Sequence, residues 1–465
     1  MLNFATKHDD PEAALGWAER LGYGSGMFGM GLINGILGSF LMVYFTNVSF
    51  MDAGVAGTIV AVSKIFDGIS DLVMGNIVDR TQSKMGKARV WLLRMCLPLV
   101  LSTILLFSIP ASMTGLVKCV YVFIMYNIVN AVFYTAMAVP YNSMNYLMTR
   151  NRYERGLLGN INQIFSTLAN IAMNTFFIKL LTAFGGGDMY SQKGWTMAFI
   201  VVGIIVAAAS VITVMGTKER IHETGKKGKG TTDASNPAGA VKSLFKNKYW
   251  VILTICMFLI FFVIVMYVVA AIYYAQYVLG DAGYYTAINN AISVAQFGIM
   301  FITPFFMKKF GKHKIYQFGL LFLMVGFAGT GLSGTNIPLL IFFNAVKGLG
   351  LGAAGGMAFG MISDTIDYGQ WKTGIRAVGM GNAGISTAQK LGLGLGQAVM
   401  GWVLSAGGFN ALLETQPDTA LTAISICYNW IPVGCVILAF ILMLFYRLDD
   451  EMPSIITELE TREKE

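Results

Sequence analysis

The chain has 465 residues, of which 55% are hydrophobic and only 12% charged, with a formal net charge of +8. A soluble globular domain carries about a quarter of its residues as charge, so this composition excludes an ordinary soluble enzyme and requires a lipid bilayer as the first partner. The basic residues lie scattered in short loops, which excludes nucleic acid and reads as a topology signal.

Residues 1–20, MLNFATKHDDPEAALGWAER, are polar and hold no apolar run, so no cleavable signal peptide is expected and the first span must direct insertion. A bilayer core takes about 20 apolar residues of helix to cross. Runs of that length predict twelve transmembrane helices, near 21–47, 53–79, 90–110, 116–147, 157–184, 195–216, 249–278, 283–307, 315–333, 337–363, 377–406 and 420–446. The Gly- and Lys-rich stretch 217–248 has no apolar period, apart from a possible short amphipathic helix near its end, and is expected to be flexible. It divides the spans into an N-terminal six-helix bundle, 1–216, and a C-terminal six-helix bundle with its tail, 249–465.

Lysine and arginine fall on one side. Loop 79–89 carries Arg80, Lys84, Lys87 and Arg89; loop 148–155 carries Arg150, Arg152 and Arg155; the linker carries eight and loop 308–314 four; loop 364–376 carries Lys372 and Arg376. The other side has only Lys193 and Lys118. This bias puts both termini and the linker in the cytoplasm, with the protein in the cell (inner) membrane. The halves also echo each other: KMGKAR (84–89) follows the second span and KFGKHK (309–314) follows the eighth. One motif at one topological position in each half points to an internal duplication, and two six-helix bundles around a central site are the architecture of major facilitator transporters. The fold class expected is therefore an all-α membrane protein of the major facilitator type.

The five cysteines, Cys96, Cys119, Cys256, Cys427 and Cys435, have no metal spacing and read as small hydrophobes. His8, His222 and His313 are isolated, and no catalytic triad or metal spacing occurs in the spans, so the chain is not expected to be an enzyme and needs no cofactor.

The exceptional feature is IFDGISDL (65–72). Asp67 and Asp71 lie one helical turn apart on one face, near the middle of a span. Each ionised carboxylate there costs roughly 2.5–3.5 kcal/mol, and the two repel. A cation between them relieves both penalties, which predicts a coupling-ion site for Na⁺ or H⁺. Lys64 can pair with Asp67 when the site is empty, and a purely structural Lys64–Asp67 bridge is the competing explanation.

SKIFDGISDLVMGNIVDRTQSKMGKARVW in span two, YTAMAVPYNSM (134–144), MISDTIDYGQWKTGIRA (361–377) and STAQKLGLGLGQAVMGW (386–402) resemble the signatures of the glycoside–pentoside–hexuronide:cation symporter family over nearly the whole chain. The resemblance implies a cation site at Asp67 and Asp71, with Ser70 between them and Thr135 from span four; with Na⁺ as the coupling ion, Asp67, Asp71 and Thr135 are its ligands. It places Lys390, in span eleven, near the cation and sugar sites. The sugar site departs from the pattern of the family's melibiose-type members. Gly31 and Ala138 stand where two aspartates would hold a galactosyl group, Asn142 where a tryptophan would stack, and Gln163 where an arginine would touch the sugar. This argues against melibiose.

Candidate substrate contacts are Asn34, Tyr134, Asn142, Gln163, Lys347, Ser386 and Lys390. Tyr134 and Tyr141 offer apolar faces for a sugar ring or are core residues. Lys347, about ten residues into span ten, either pairs with an anionic substrate or packs beside the glycines. GNIVDR with SKMGKAR (75–89) resembles a facilitator-superfamily loop motif in which Asp79 latches a gate; Arg80, Asp364 and Asp367 complete the gating set. The function expected is secondary import of a glycoside or related sugar by symport with Na⁺ or H⁺, performed by a monomer. The alternatives are a cation-coupled carrier of a non-sugar amphiphile such as a lysolipid, and a transport-inactive sensor of the same fold.

Overall fold

A computed structural model describes residues 10, 14–110, 112–221, 237–374, 378–413 and 415–462. Eleven helices among these residues are long and apolar enough to cross a membrane: Trp17–Val48, Ala53–Val78, Arg89–Leu106, Gly115–Met148, Glu154–Phe184, Gln192–Gly216, Lys248–Val278, Tyr284–Thr303, Lys309–Leu332, Ile337–Thr373 and Asp418–Met452. The glycine-rich helix Val378–Ala406, 29 residues long, is the twelfth. In this order they are spans one to ten and twelve, with Val378–Ala406 as span eleven. The chain is an all-helical twelve-span protein of the major facilitator fold. Expected and observed boundaries agree closely because hydrocarbon thickness sets helix length.

Local chemistry sets the helix starts. Asp52 caps span two by accepting from the Val55 amide at 3.0 Å. Asn247 accepts from Trp250 at 3.1 Å at the start of span seven, and Asn336 from Leu339 at 3.2 Å at the start of span ten. Each satisfies an amide that the first helical turn leaves without a partner. The short helix expected at the end of the linker is Pro237–Lys246.

Span ten is longer than expected. It continues to Thr373 and ends at Gly374, whose left-handed φ of 72° lets its amide close on the Gln370 carbonyl. Asp364 and Asp367 are therefore helical and not in a loop, as their polarity had implied. A helix needs no hydrocarbon to continue when its charges find partners, and Lys312 Nζ meets Asp364 at 2.7 Å.

The chain forms two units, Met1–Gly225 with Gly401–Pro417, and Lys226–Met400 with Asp418–Glu465. In the first, span one packs against spans five and six. A Cβ on Gly22 would lie 3.0 Å from the Cα of Gly216, so span one reaches span six backbone to backbone. Tyr44, Phe107, Phe177, Trp195 and Phe199 form an aromatic core near one end, with Phe107 stacked on Phe199 at 3.9 Å between centroids. Near the other end are two ion pairs that composition did not signal. Arg220 meets the fully buried Glu19 at 2.8 Å, and Arg20 grips Glu154 at 2.8 and 3.0 Å.

In the second unit, span seven packs on span twelve, and the helix Leu448–Arg462 folds back onto the bundle. Tyr249 donates to Glu451 and Trp371 to Glu458, each at 2.7 Å. All five cysteines are free; Cys96, Cys256 and Cys427 are buried, and Cys119 and Cys435 half-buried.

The Glu19–Arg220 pair generates a stability prediction. Glu19→Gln leaves the Arg220 guanidinium facing a neutral group where almost no water reaches. A loss of roughly 3–5 kcal/mol is expected for a broken buried pair. It is read as a lowered melting temperature of the purified protein.

Candidate cation and sugar site

The site lies within the first unit and is built by spans two and four. Asp67, Ser70 and Asp71 share one face of span two. Span four brings Thr135 to that face through a π-helical turn, Ile128–Tyr134. Such wide turns recur at functional sites because they rotate the next residue out of α-helical register. Here the turn leaves the Asn130 carbonyl 3.2 Å from the Thr135 hydroxyl.

The Thr135 hydroxyl also lies 3.3 Å from Asp67 Oδ1, 3.4 Å from Asp71 Oδ1 and 3.5 Å from Ser70 Oγ. Its single proton can serve only one acceptor at a time, and these separations are long for O–H···O bonds. They suit a different geometry. A hard cation takes oxygen ligands at about 2.4 Å, and neighbouring vertices of an octahedron of that radius lie about 3.4 Å apart. Thr135, buried, is thus the hub of an oxygen cluster whose spacing matches the ligand shell of a hard cation.

Lys64 Nζ lies 3.6 Å from Asp67 Oδ2, the oxygen turned away from Thr135. The structural bridge and the oxygen cluster therefore coexist, using different oxygens of one carboxylate. Lys64, Asp67 and Asp71 together carry a formal charge of −1, which one monovalent cation or one proton cancels.

Two clefts of the first unit flank span four. The one beside the cation cluster, about 730 Å³, is lined by Phe66, Ile69, Met74, Trp91, Phe123 and Val132 and gives a sugar few hydrogen-bond partners. The other, about 620 Å³, contains Lys87, Asn142, Ser143, Tyr146, Arg150 and Arg155. Its chemistry suits a polyhydroxylated or anionic solute, and it places the exposed Asn142 among hydrogen-bond donors.

The remaining candidates are dispersed. Asn34 and Gln163 are exposed on spans one and five, and Tyr134 is half-buried at the end of the π-turn. Tyr141 is a core residue: fully buried, stacked on Tyr23 at 4.8 Å, and donating to the Tyr23 carbonyl at 2.8 Å. Gly31 faces span five so closely that a Cβ would lie 2.9 Å from Ala169 Cβ, which leaves no space for an aspartate. Arg80 is exposed, and the side chain of Asp79 lies outside the described residues.

In the second unit, Ser386 is exposed and Lys390 half-buried on span eleven, and Asp367 is half-buried on span ten. Lys347 is fully buried, its Nζ 4.4 Å from the Phe327 ring centre and 4.3 Å from that of Tyr428. No hydrogen-bond acceptor reaches that Nζ among the described residues. Tyr428 comes from another π-helical turn, Ile426–Trp430, and is held by its hydroxyl donating to Asn344 at 3.0 Å.

Reading residue types alone missed the Asn130 carbonyl and the π-turn behind it. Neither leaves a side-chain signature, and an isolated asparagine in a span reads as interhelical packing.

A twelve-span facilitator fold with paired carboxylates in span two defines a secondary transporter. Residues 22–450 match the family described as MFS/sugar transport protein. The chain belongs to that family, the glycoside–pentoside–hexuronide:cation symporters that its motifs resemble. It is 31% identical to the isoprimeverose transporter of Lactiplantibacillus pentosus over 96% of this chain and 92% of that one. It is 26% identical to the putative glycoside/cation symporter YagG of Escherichia coli K12, covering 93% and 92%. The crystal structure of a D-xylose–proton symporter matches its fold with a TM-score of 0.67 at 14% identity, covering 92% of this chain and 97% of that one.

Two predictions follow the geometry. Na⁺ at saturation is expected to raise the melting temperature of the purified protein by mass action, and Asp71→Asn to remove that shift. For Lys347, burial of an ammonium costs several kcal/mol, against about 0.5–2 kcal/mol returned per ring contact. Lys347→Met is expected to melt at the wild-type temperature or above it. Lys347→Ala empties a long buried side chain and should lose roughly 2–5 kcal/mol, measured in the same melts.

Proposed function

We propose that this protein imports a glycoside of the isoprimeverose type by symport with Na⁺. The ion is held by Asp67, Asp71 and Thr135, with Ser70 or water completing its shell. The observation that carries the reading is the Thr135 hydroxyl, spaced 3.3 and 3.4 Å from the two carboxylates. A proton needs one carboxylate, whereas a hydroxyl at octahedral-edge distance from both has more use in a sodium site than in a proton site. The relative that transports isoprimeverose supplies the substrate class. The site contains no aspartate at Gly31, which favours a sugar other than a galactoside.

In this reading Asn34, Tyr134, Asn142, Gln163, Ser386 and Lys390 contribute to substrate selection, and Lys347, buried between Phe327 and Tyr428, serves packing. Asp79, Arg80, Asp364 and Asp367 contribute to gating. The loop charges favour both termini in the cytoplasm, and the protein is taken to work as a monomer.

The test is uptake of radiolabelled isoprimeverose into membrane vesicles under an imposed Na⁺ gradient, then under an imposed pH gradient. Wild type is expected to respond to Na⁺. Thr135→Ala should lose at least tenfold of the Na⁺ stimulation, while any pH-driven uptake stays within twofold. A wild type that ignores Na⁺ and responds only to pH overturns the sodium assignment and makes Asp71 the proton carrier.

A further inference from the structure

We propose that Glu219 and Asp449 are equivalent positioning residues for transport. Glu219 lies just after span six and Asp449 in the first turn of the helix Leu448–Arg462, and each is clasped by the turn between its own bundle's second and third spans. The inference rests on the transporter reading for its consequence, and on geometry alone for the clasp.

In the first unit Glu219 is 5% exposed. Its Oε2 accepts from the Lys87 amide at 2.7 Å, and its Oε1 from the Ala88 and Arg89 amides at 3.0 and 2.8 Å. These amides open the helix that begins at Arg89, where backbone N–H groups lack intrahelical partners and the helix dipole is positive. A carboxylate answers both, and charge-assisted bonds of this kind are roughly twice as strong as neutral ones. Gly86 makes the approach possible. Its φ is +107°, and a Cβ there would lie 2.4 Å from the Glu219 carboxyl carbon.

The second unit repeats the arrangement in the second copy of the motif. Gly311 has a φ of +78° and breaks the helix between spans eight and nine. Two residues on, the His313 amide donates to Asp449 Oδ2 at 2.8 Å. A Cβ on Gly311 would lie 2.8 Å from that same oxygen. Lys-x-Gly-Lys-x-basic thus encodes more than a basic loop. Its glycine vacates the space that a distant carboxylate fills, and its following amides bind that carboxylate.

The consequence is mechanical. Span two carries Asp67 and Asp71, and the turn after it already reaches span six through the Arg89 guanidinium on the Val214 carbonyl. Glu219 ties that turn to the end of span six. In alternating access a bundle moves largely as one body, so ion binding on span two is transmitted to span six instead of being absorbed by a loose turn.

The test uses the full-length protein with Glu219→Gln, Gly86→Ala, Asp449→Asn and Gly311→Ala. Backbone hydrogen exchange at residues 87–89 and 313, measured without substrate, reads the clasp. At least tenfold faster exchange is expected in the turn of the affected half, with the other half unchanged. Uptake of radiolabelled isoprimeverose at matched membrane levels reads the consequence. The maximal rate should fall at least fivefold while the half-saturation concentration stays within twofold. Glu219→Gln combined with Gly86→Ala should be no slower than Gly86→Ala alone, because both remove one interaction.

Unchanged exchange overturns the proposal, as does faster exchange with an unchanged maximal rate. Additive losses with a lowered membrane level assign the residues to folding and overturn it too. A wild type that does not carry isoprimeverose fails the substrate reading, and exchange then decides the clasp by itself.

Discussion

The first unit is organised around the cost of two carboxylates inside a membrane span. Asp67 and Asp71 are expensive in hydrocarbon separately and worse together. The surrounding structure answers that cost with partners of different kinds. Lys64 takes one oxygen of Asp67, while Ser70, Thr135 and the Asn130 carbonyl gather about the others. Lys64, Asp67 and Asp71 together keep a formal charge of −1. That separates the cluster from a structural ion pair such as Arg20–Glu154, in which fork and carboxylate satisfy each other.

Among the described residues, buried and helix-end charges elsewhere show two other patterns. Near helix ends they form closed pairs or caps: Glu19 with Arg220, Lys312 with Asp364, Asp52 on the Val55 amide. Among the described residues Lys347 has no hydrogen-bond acceptor and rests between two aromatic faces instead. A ring face offers a weak partner to an ammonium, so this lysine is held mainly by packing of its stem among spans nine, ten and twelve. π-helical turns underlie both special sites, placing Thr135 in one half and Tyr428 in the other. In each case the extra backbone residue turns a side chain toward a charge that regular α-helix would bypass.

The two halves share a design at their turns. Gly86 and Gly311 adopt the same left-handed region, and each admits a carboxylate from a segment far along the chain. Their surroundings have diverged: Glu219 meets three amides, whereas Asp449 meets one and leaves the neighbouring lysine to Asp364. Both glycines have a positive φ and no room for a Cβ, while the side-chain partners around them differ.

Span number, the span boundaries other than the cytoplasmic end of span ten, and the one-face pairing of Asp67 with Asp71 were determined by the sequence alone. Hydropathy is summed over neighbouring residues against a bilayer of known thickness, and helix periodicity follows from fixed backbone geometry. Thr135 was also legible, through the resemblance of its motif. Tertiary structure alone decided how span four is rotated, and therefore that the Asn130 carbonyl joins the cluster and that Tyr141 is core. It decided that Gly31 abuts Ala169, that span ten carries Asp364 and Asp367 on helix, and that Glu219 reaches the turn at Gly86. Each of these depends on a distance between residues remote in the chain. Such distances are set by interhelical packing, which no local sum of hydropathy or propensity contains.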